Sequence, residues 1–445
     1  MAVLGALLVA MILALALEEK IHARKSVIVA VFAVVALFLA DAWHLLPIGP
    51  VINAFGERIA LPVYIPAVDW GVIAIIVGSS VFVDVSSRSG LFSYVAIRLT
   101  KTSGGDPRRL LWYYGALTVV FSALLNNVTA MIIIGSLTGV SLRKLGRQDK
   151  LLGFLLIEGL LTNIGGLLTL ISSVPNIIVG TAAGISFVRF FLVASPFVLV
   201  ATVSTLLIGA RLFRIERLVG ADAEAQARRQ VAGFDEHDGV ESVGFFWFCA
   251  VMTVVFVGGI ATASVLPVID ELGMGYVALA CATIMLIRYK SEAEQFYRAI
   301  DWDLLGFFAA LFVVINVMEH GQVLTQIGNV LARVIDLGPM LGGALILVLA
   351  AVASSVTDNI PLAAMLAKIL KGMGTSPDAS LWWSVVFGAN LGGNLTPIGS
   401  ASTLVAVTII HKQGLELSFV DFVKRAAPYA ALQIALATVY VLVFM

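Results

Sequence analysis

The chain has 445 residues, 60% of them hydrophobic and 13% charged, with a mean hydropathy of +1.01. That is far more apolar than a soluble domain and places the chain among polytopic membrane proteins. The formal net charge of zero gives no electrostatic case for nucleic acid, and two cysteines, Cys249 and Cys281, exclude a disulfide framework or a thiolate metal site.

The first apolar run, residues 3–17, lacks the basic start and the small-residue cleavage site of a signal peptide and reads as a retained helix. Runs of membrane-spanning length follow at about 27–46, 69–87 and 186–213. Residues 91–99 read as an interfacial segment. The tract at about 107–145 carries Asn126-Asn127 at its middle and reads as a re-entrant hairpin rather than one helix. Next comes a tract at about 149–184, interrupted between Asn163-Ile-Gly-Gly and Ser173-Val-Pro-Asn176, which reads as a broken helix. Residues 214–243 are polar, carry both charge signs and read as a linker between two halves.

The second half repeats the first at a spacing of 232 residues: Val68-Asp69-Trp70 recurs as Ile300-Asp301-Trp302, Ser122 and Asn127 recur as Ser354 and Asn359, and Ser186-Phe187-Val188 recurs as Ser418-Phe419-Val420. Around the helix break the spacing is 227, so that Asn163, Gly165, Gly166, Thr169 and Ser173 match Asn390, Gly392, Gly393, Thr396 and Ser400. The second hairpin is therefore expected at about 338–376 and the second broken helix at about 379–411, giving repeats over 1–213 and 244–445. Five crossings and one returning hairpin per repeat make the two copies inverted. With an external N-terminus, 23 of the 28 basic residues fall on the cytoplasmic side, Arg288, Lys290 and Arg298 among them. Only Arg58, Arg189, Arg333, Lys368 and Lys371 do not, as the positive-inside rule asks. The expectation is an all-α polytopic protein of an inner membrane, with both termini periplasmic and the linker cytoplasmic.

Inverted repeats bring both hairpin tips and both helix breaks to one midplane site. The expected pocket combines Asn126, Asn127, Thr129, Asn163, Thr169, Ser173 and Asn176 with Asn359, Asn390, Thr396, Ser400 and Thr403. Any one small polar residue can simply pack helices together, but four matched clusters in two copies argue for a binding site. Asp358 is the only carboxylate at a tip. An acid near the bilayer centre reads as a proton or cation site, a role that can coexist with helix capping. Glu158 is a second candidate proton carrier, set against the reading of a buried carboxyl bonded to a neighbouring helix. Asp84, beside Ser86, Ser87 and Arg88, reads as interfacial, and Asp69 and Asp301 as helix caps. The five histidines fall near span ends or in the linker and read as structural or solvated. Neither a phosphate loop, an HExxH pair nor a GxSxG elbow is present, so an ion gradient is left as the energy source and no cofactor or metal is expected.

Leu125-Asn126-Asn127-Val128-Thr129, Thr357-Asp358-Asn359-Ile360-Pro361 and Gly392-Gly393-Asn394-Leu395-Thr396-Pro397-Ile398-Gly399-Ser400 resemble the ion transporter superfamily. The resemblance lies in its ArsB/NhaD branch of arsenite permeases, sodium/proton antiporters and the melanosomal P protein, and covers nearly the whole chain. The Thr-Pro-Ile-Gly-Ser stretch with Thr403-Leu404 is most similar to the arsenite permeases. The family implies a scaffold domain and a transport domain of hairpins and broken helices that moves like an elevator. Asn126-Asn127 stands where many sodium-coupled relatives have Asp-Asn, which suits a neutral solute such as arsenous acid: carboxamides and hydroxyls bind its hydroxyl groups without desolvating a charge. The resulting expectation is a secondary carrier exporting arsenite and antimonite in exchange for protons, with Asp358 and Glu158 handling the proton. Its partners are the solute and the lipid bilayer, and an ATPase subunit or a second copy of the chain are further partners open to it. Sodium/proton antiport and sodium-coupled anion or dicarboxylate transport are the alternatives within the class. A receptor or scaffold that does not transport would not need both polar tips.

Overall fold

The computed structural model describes every residue except 1, 48, 53–54, 241, 289–293 and 295–299, so that Lys290 and Arg298 lie outside the described residues. The described chain is helical apart from loops and one short antiparallel pairing of Val51–Ile52 with Arg58–Ile59. Among the described residues seven helices are long and apolar enough to cross a membrane. Their outward faces carry large apolar side chains, such as Val34 and Phe38 on Lys25–Ala42 and Val251 and Val254 on Val243–Thr262, as contact with lipid requires.

Helix starts repeat along the chain. Trp70–Arg88 and Trp302–His320, Leu91–Thr102 and Val323–Ile335, Pro107–Leu124 and Pro339–Val356, and Phe187–Leu212 and Phe419–Phe444 each begin 232 residues apart (70 to 302, 91 to 323, 107 to 339, 187 to 419). The same local chemistry begins them. Asp69 accepts from the Val72 N–H at 3.1 Å and Asp301 from the Leu304 N–H at 2.9 Å, the capping role expected of both. Ser186 accepts from the Arg189 N–H at 3.2 Å and Ser418 from the Asp421 N–H at 3.1 Å.

Packing is reciprocal between the halves. Lys25–Ala42 lies along Trp302–His320, while Pro267–Arg288 lies along Trp70–Arg88, so a crossing of each half covers a crossing of the other. One hairpin runs up Pro107–Leu124, turns at Leu125-Asn126 and returns as Asn127–Lys144; the other runs up Pro339–Val356, turns at Thr357-Asp358 and returns as Asn359–Gly372. The broken helices are Leu151–Gly166 with Val174–Ala183, and Ser380–Gly392 with Ala401–Lys412. Each hairpin's first arm packs on the first segment of the broken helix in its own half, and its return arm packs on the last segment of the other half's broken helix. Glycine makes the first contact possible. A Cβ at Gly165 would sit 2.7 Å from the Val119 backbone and one at Gly392 would sit 2.2 Å from the Ala351 carbonyl, again 232 residues apart in the partner helix.

The polar linker is more ordered than its composition suggests. It contains the helix Ala221–Ala232, which buries Ala227 and Val231. Asp106 caps the first hairpin through the Arg109 N–H at 2.8 Å and with its other oxygen accepts from the Leu218 N–H at 2.9 Å. Lys144 lies 4.3 Å from the Phe234 ring centroid, and Lys101 donates to Glu236. That ammonium holds the Glu236 carboxyl below the usual carboxylate range. The linker is thereby fastened to the base of the first hairpin.

Candidate functional site

A cavity of about 330 Å³ opens between the first hairpin tip, both helix breaks and the crossing Trp70–Arg88. Of the residues expected in a pocket, Asn126, Asn127, Thr129, Asn163, Ser173, Asn359 and Ser400 line it. The geometry follows from the turn. Asn126 caps the return arm by accepting from the Thr129 N–H at 2.7 Å, which directs the next residue, Asn127, back toward the broken helix. Asn127 Oδ1 accepts from Ser122 at 2.8 Å and its Nδ2 reaches Asn163 Oδ1 at 3.4 Å. Asn163 is the junction between the halves: Nδ2 donates to Asn394 Oδ1 at 2.8 Å and to Ser400 Oγ at 2.9 Å, and Oδ1 accepts from Ser402 at 3.1 Å.

The remaining expected pocket residues do something else. Thr169 donates to the Ala123 carbonyl at 2.6 Å and Thr396 to the Ser355 carbonyl at 2.5 Å, tying each break to equivalent places on its hairpin. Asn176 donates to the carbonyls of Gly166 and Thr169 at 2.6 and 3.0 Å. Thr403 holds the same place in the second copy, its Oγ1 lying 3.2 Å from the Pro397 carbonyl and 2.8 Å from that of Ser400. Asn390 accepts from Ser173 and donates to Asn176, both at 2.8 Å. These five residues saturate one another and the carbonyls that an interrupted helix releases, which in hydrocarbon have no water to bond. A donor to freed backbone and a donor to a solute are the same residue types, so composition alone does not separate them.

Asp358 stands apart from this cavity. Its Oδ1 caps the return arm by accepting from the Ile360 N–H at 3.0 Å, and its Oδ2 lies 2.5 Å from the Lys25 ammonium. The pair occupies a second cavity, of about 180 Å³, whose wall at Ser400 and Ala401 is shared with the first. Glu158 lines neither cavity. It is fully buried, with Oε1 accepting from Thr138 at 2.6 Å and Oε2 without a partner among the described residues.

Several site residues escaped the sequence reading. Asp84, read as interfacial, also lines the main cavity, with Arg88 Nε 3.2 Å from its carboxylate. Ser79, Ser80 and Ser87 join it, a stripe at helical spacing on an otherwise apolar crossing that carried the signal. Gln433, a lone amide inside Phe419–Phe444, is buried, accepts from Asn394 at 2.8 Å and donates to Thr205 at 3.0 Å. Among the described residues the cavity lining contains hydroxyls, carboxamides, apolar groups and the carboxylates of Asp84 and Asp301, and neither lysine nor arginine.

A cavity with converging carboxamides and hydroxyls, built from interrupted helices inside a bundle of membrane-crossing helices, defines a multi-pass membrane transporter and not an enzyme. The chain belongs to the citrate transporter (CitMHS) family, whose model matches residues 3–388. It is 31% identical over 379 residues to an uncharacterised transporter of Mycobacterium tuberculosis strain H37Rv, covering 84% of this chain and 86% of that one. A 46 kDa membrane protein of Mycobacterium leprae matches to the same extent. The human P protein is 25% identical over 466 residues, which cover 87% of this chain and 55% of that protein. Among solved structures, the Alcanivorax borkumensis YdaH transporter superposes with a TM-score of 0.63 at 15% identity, covering 95% of this chain and 98% of that one. MtrF of Neisseria gonorrhoeae superposes with a TM-score of 0.59 at 14% identity, covering 95% of each. These likenesses give the fold.

Proposed function

We propose that the chain is a secondary active carrier whose main cavity binds a small, neutral, hydroxyl-rich solute, and that it exports arsenous acid and its antimony analogue across the inner membrane in exchange for protons. The observation that carries the reading is the cavity lining, in which amides and hydroxyls converge beside the carboxylates of Asp84 and Asp301 with, among the described residues, no basic side chain. A trivalent anion there would lose its hydration without a counter-charge, whereas a trihydroxy species finds donors and acceptors. Asn127, Asn163, Asn359, Ser173 and Ser400 are the binding groups, and Thr169, Asn176, Asn390, Thr396 and Thr403 hold the broken helices in place. Asp358 carries the proton, with Glu158 as the second candidate. Reciprocal packing supports inverted repeats over 1–213 and 244–445 and an elevator-like stroke of the hairpins and broken helices. In this reading both termini are periplasmic, the 214–243 linker is cytoplasmic, and the cavity, lined by Asp84, Ser87 and Asp301, opens to the cytoplasm.

Family membership favours one other reading. Asp84 and Asp301 in the lining allow a cation to enter with a carboxylate, so citrate paired with a metal ion is the second candidate cargo. The deciding experiment is uptake by inside-out vesicles under an imposed pH gradient, with arsenite, antimonite, citrate plus magnesium, and sodium as cargo. Arsenite uptake that collapses with a protonophore supports the first reading, and citrate uptake without arsenite uptake replaces it. Proton-linked sodium movement alone makes the chain a sodium/proton antiporter. If Asp358→Asn retains full pH-driven uptake, Asp358 does not carry the proton.

A further inference from the structure

The ion pair in the smaller cavity joins two parts of the molecule that are built differently. Lys25 begins the crossing Lys25–Ala42, which is packed along Trp302–His320 and fastened to it where Ser26 donates to Asp303. Its backbone is therefore fixed to the crossings. Asp358 sits at the turn of a hairpin. The side chains are 29% and 13% exposed, so the pair is largely withdrawn from water, and separating it leaves a poorly compensated charge unless something replaces the ammonium. Among the described residues, the other charged groups facing the pair are Glu18, 3.6 Å from Lys25, and Lys20, which lines the same cavity. At the opposite tip the equivalent residue is Asn126, exposed and incapable of an ion pair.

We infer that the Lys25 ammonium is a tethered counter-ion that pins the second hairpin tip to the N-terminal crossing, and that a coupling cation, proton or sodium, must displace it before that tip can move. This rests on Asp358 being the coupling carboxylate. A proton on Asp358 removes the charge that Lys25 answers; a sodium ion competes for the same oxygens, with Glu18 near enough to contribute another. Either event frees the tip while leaving no bare carboxylate behind. The same arrangement explains why one tip keeps an acid and the other does not: only one is latched.

The test reads distance rather than transport. Spin labels are placed at Leu17→Cys and Val356→Cys, which line this cavity and are both exposed, in the full chain carrying Cys249→Ala and Cys281→Ala in lipid nanodiscs. At alkaline pH with choline as the only added cation, a single short separation is expected. Acidification or sodium, whichever is the coupling cation, adds a longer population. Lys25→Met shows the longer population under every condition, and Lys25→Arg restores the wild-type response. A Lys25→Met protein with the wild-type distribution and response overturns the inference, as does a wild-type chain that neither acid nor sodium moves. Because no cargo is present, failure of arsenite uptake leaves this result intact, and the reverse also holds.

Discussion

The two hairpin tips share a backbone plan and differ in charge. Each return arm is capped by the residue before it, Asn126 through the Thr129 N–H at 2.7 Å and Asp358 through the Ile360 N–H at 3.0 Å. Each rising arm ends with a serine bonded to a carbonyl of the neighbouring broken helix, Ser122 to Thr162 and Ser354 to Ala389, both at 2.6 Å. Asn127 and Asn359 both face the main cavity, yet Asn126 joins them there while its counterpart Asp358 is held by Lys25 in another. What saturates the backbone is common to both copies. The copies diverge in the side chains that face the two cavities.

The largest effect is expected where the copies are most alike. Gly392→Ala drives a methyl group into the Ala351 carbonyl at 2.2 Å, whereas Gly165→Ala meets Val119 at 2.7 Å. Overpacking of this kind costs about 1–3 kcal/mol and more where backbone cannot yield. Size-exclusion chromatography of Gly392→Ala should show little or no monodisperse protein, and Gly165→Ala should give a reduced yield. Equal tolerance of both would break the parallel. Next is Asn390→Ala, which strips the acceptor from Ser173 and the donor from Asn176. Leaving buried polar groups unpaired costs about 1–3 kcal/mol, to be read as a lower Tm in detergent.

Asn127→Ala and Asn359→Ala address the matched carboxamides of the two tips. Both line the main cavity, so each should weaken the apparent affinity for cargo by about fivefold per lost hydrogen bond of about 1 kcal/mol, with Tm lowered for Asn127→Ala, which also loses its bonds to Ser122 and Asn163, and little changed for Asn359→Ala. Loss from only one of them would sharpen the asymmetry of the tips. The smallest effect belongs to Glu236. Its carboxyl is depressed by Lys101, so this contact contributes above the ordinary carboxylate range and is lost as pH falls through the lowered value. Protection of the linker amides, corrected for the intrinsic pH dependence of exchange, should fall at acid pH, and Glu236→Gln should remove that fall without altering uptake.

The repeat was legible because it lies in residue identity at fixed spacing, and the helix breaks because glycine, proline and asparagine rarely cluster inside a span. Asp69 and Asp301 were legible as caps because a cap acts three residues along the chain. Lys25 and Asp358 are 333 residues apart, and nothing local marks either as the other's partner. That Asp84 lines the cavity was not legible, because its neighbours Ser87 and Arg88 resemble a helix end, although Ser79 and Ser80 one turn earlier extend the same polar stripe. The linker helix Ala221–Ala232 was passed over despite its alanine content and a Glu224–Arg228 pair at helical spacing, since the many charges around it dominate the composition.

The bonds that cross between the halves bear on how the chain is made. When the ribosome has delivered the first half to the membrane, Asn163, Ser173 and Asn176 are already inserted, but Asn390, Asn394 and Ser400 have not been synthesised. Those amides and hydroxyls must keep water or provisional partners until their complements, more than two hundred residues further along the chain than they are, emerge. The first half is thus an unfinished product awaiting its complement, exposed meanwhile to the proteases that clear misassembled membrane proteins. Expressed alone it should be degraded quickly, and a separately encoded second half supplied in the same cell should prolong its lifetime.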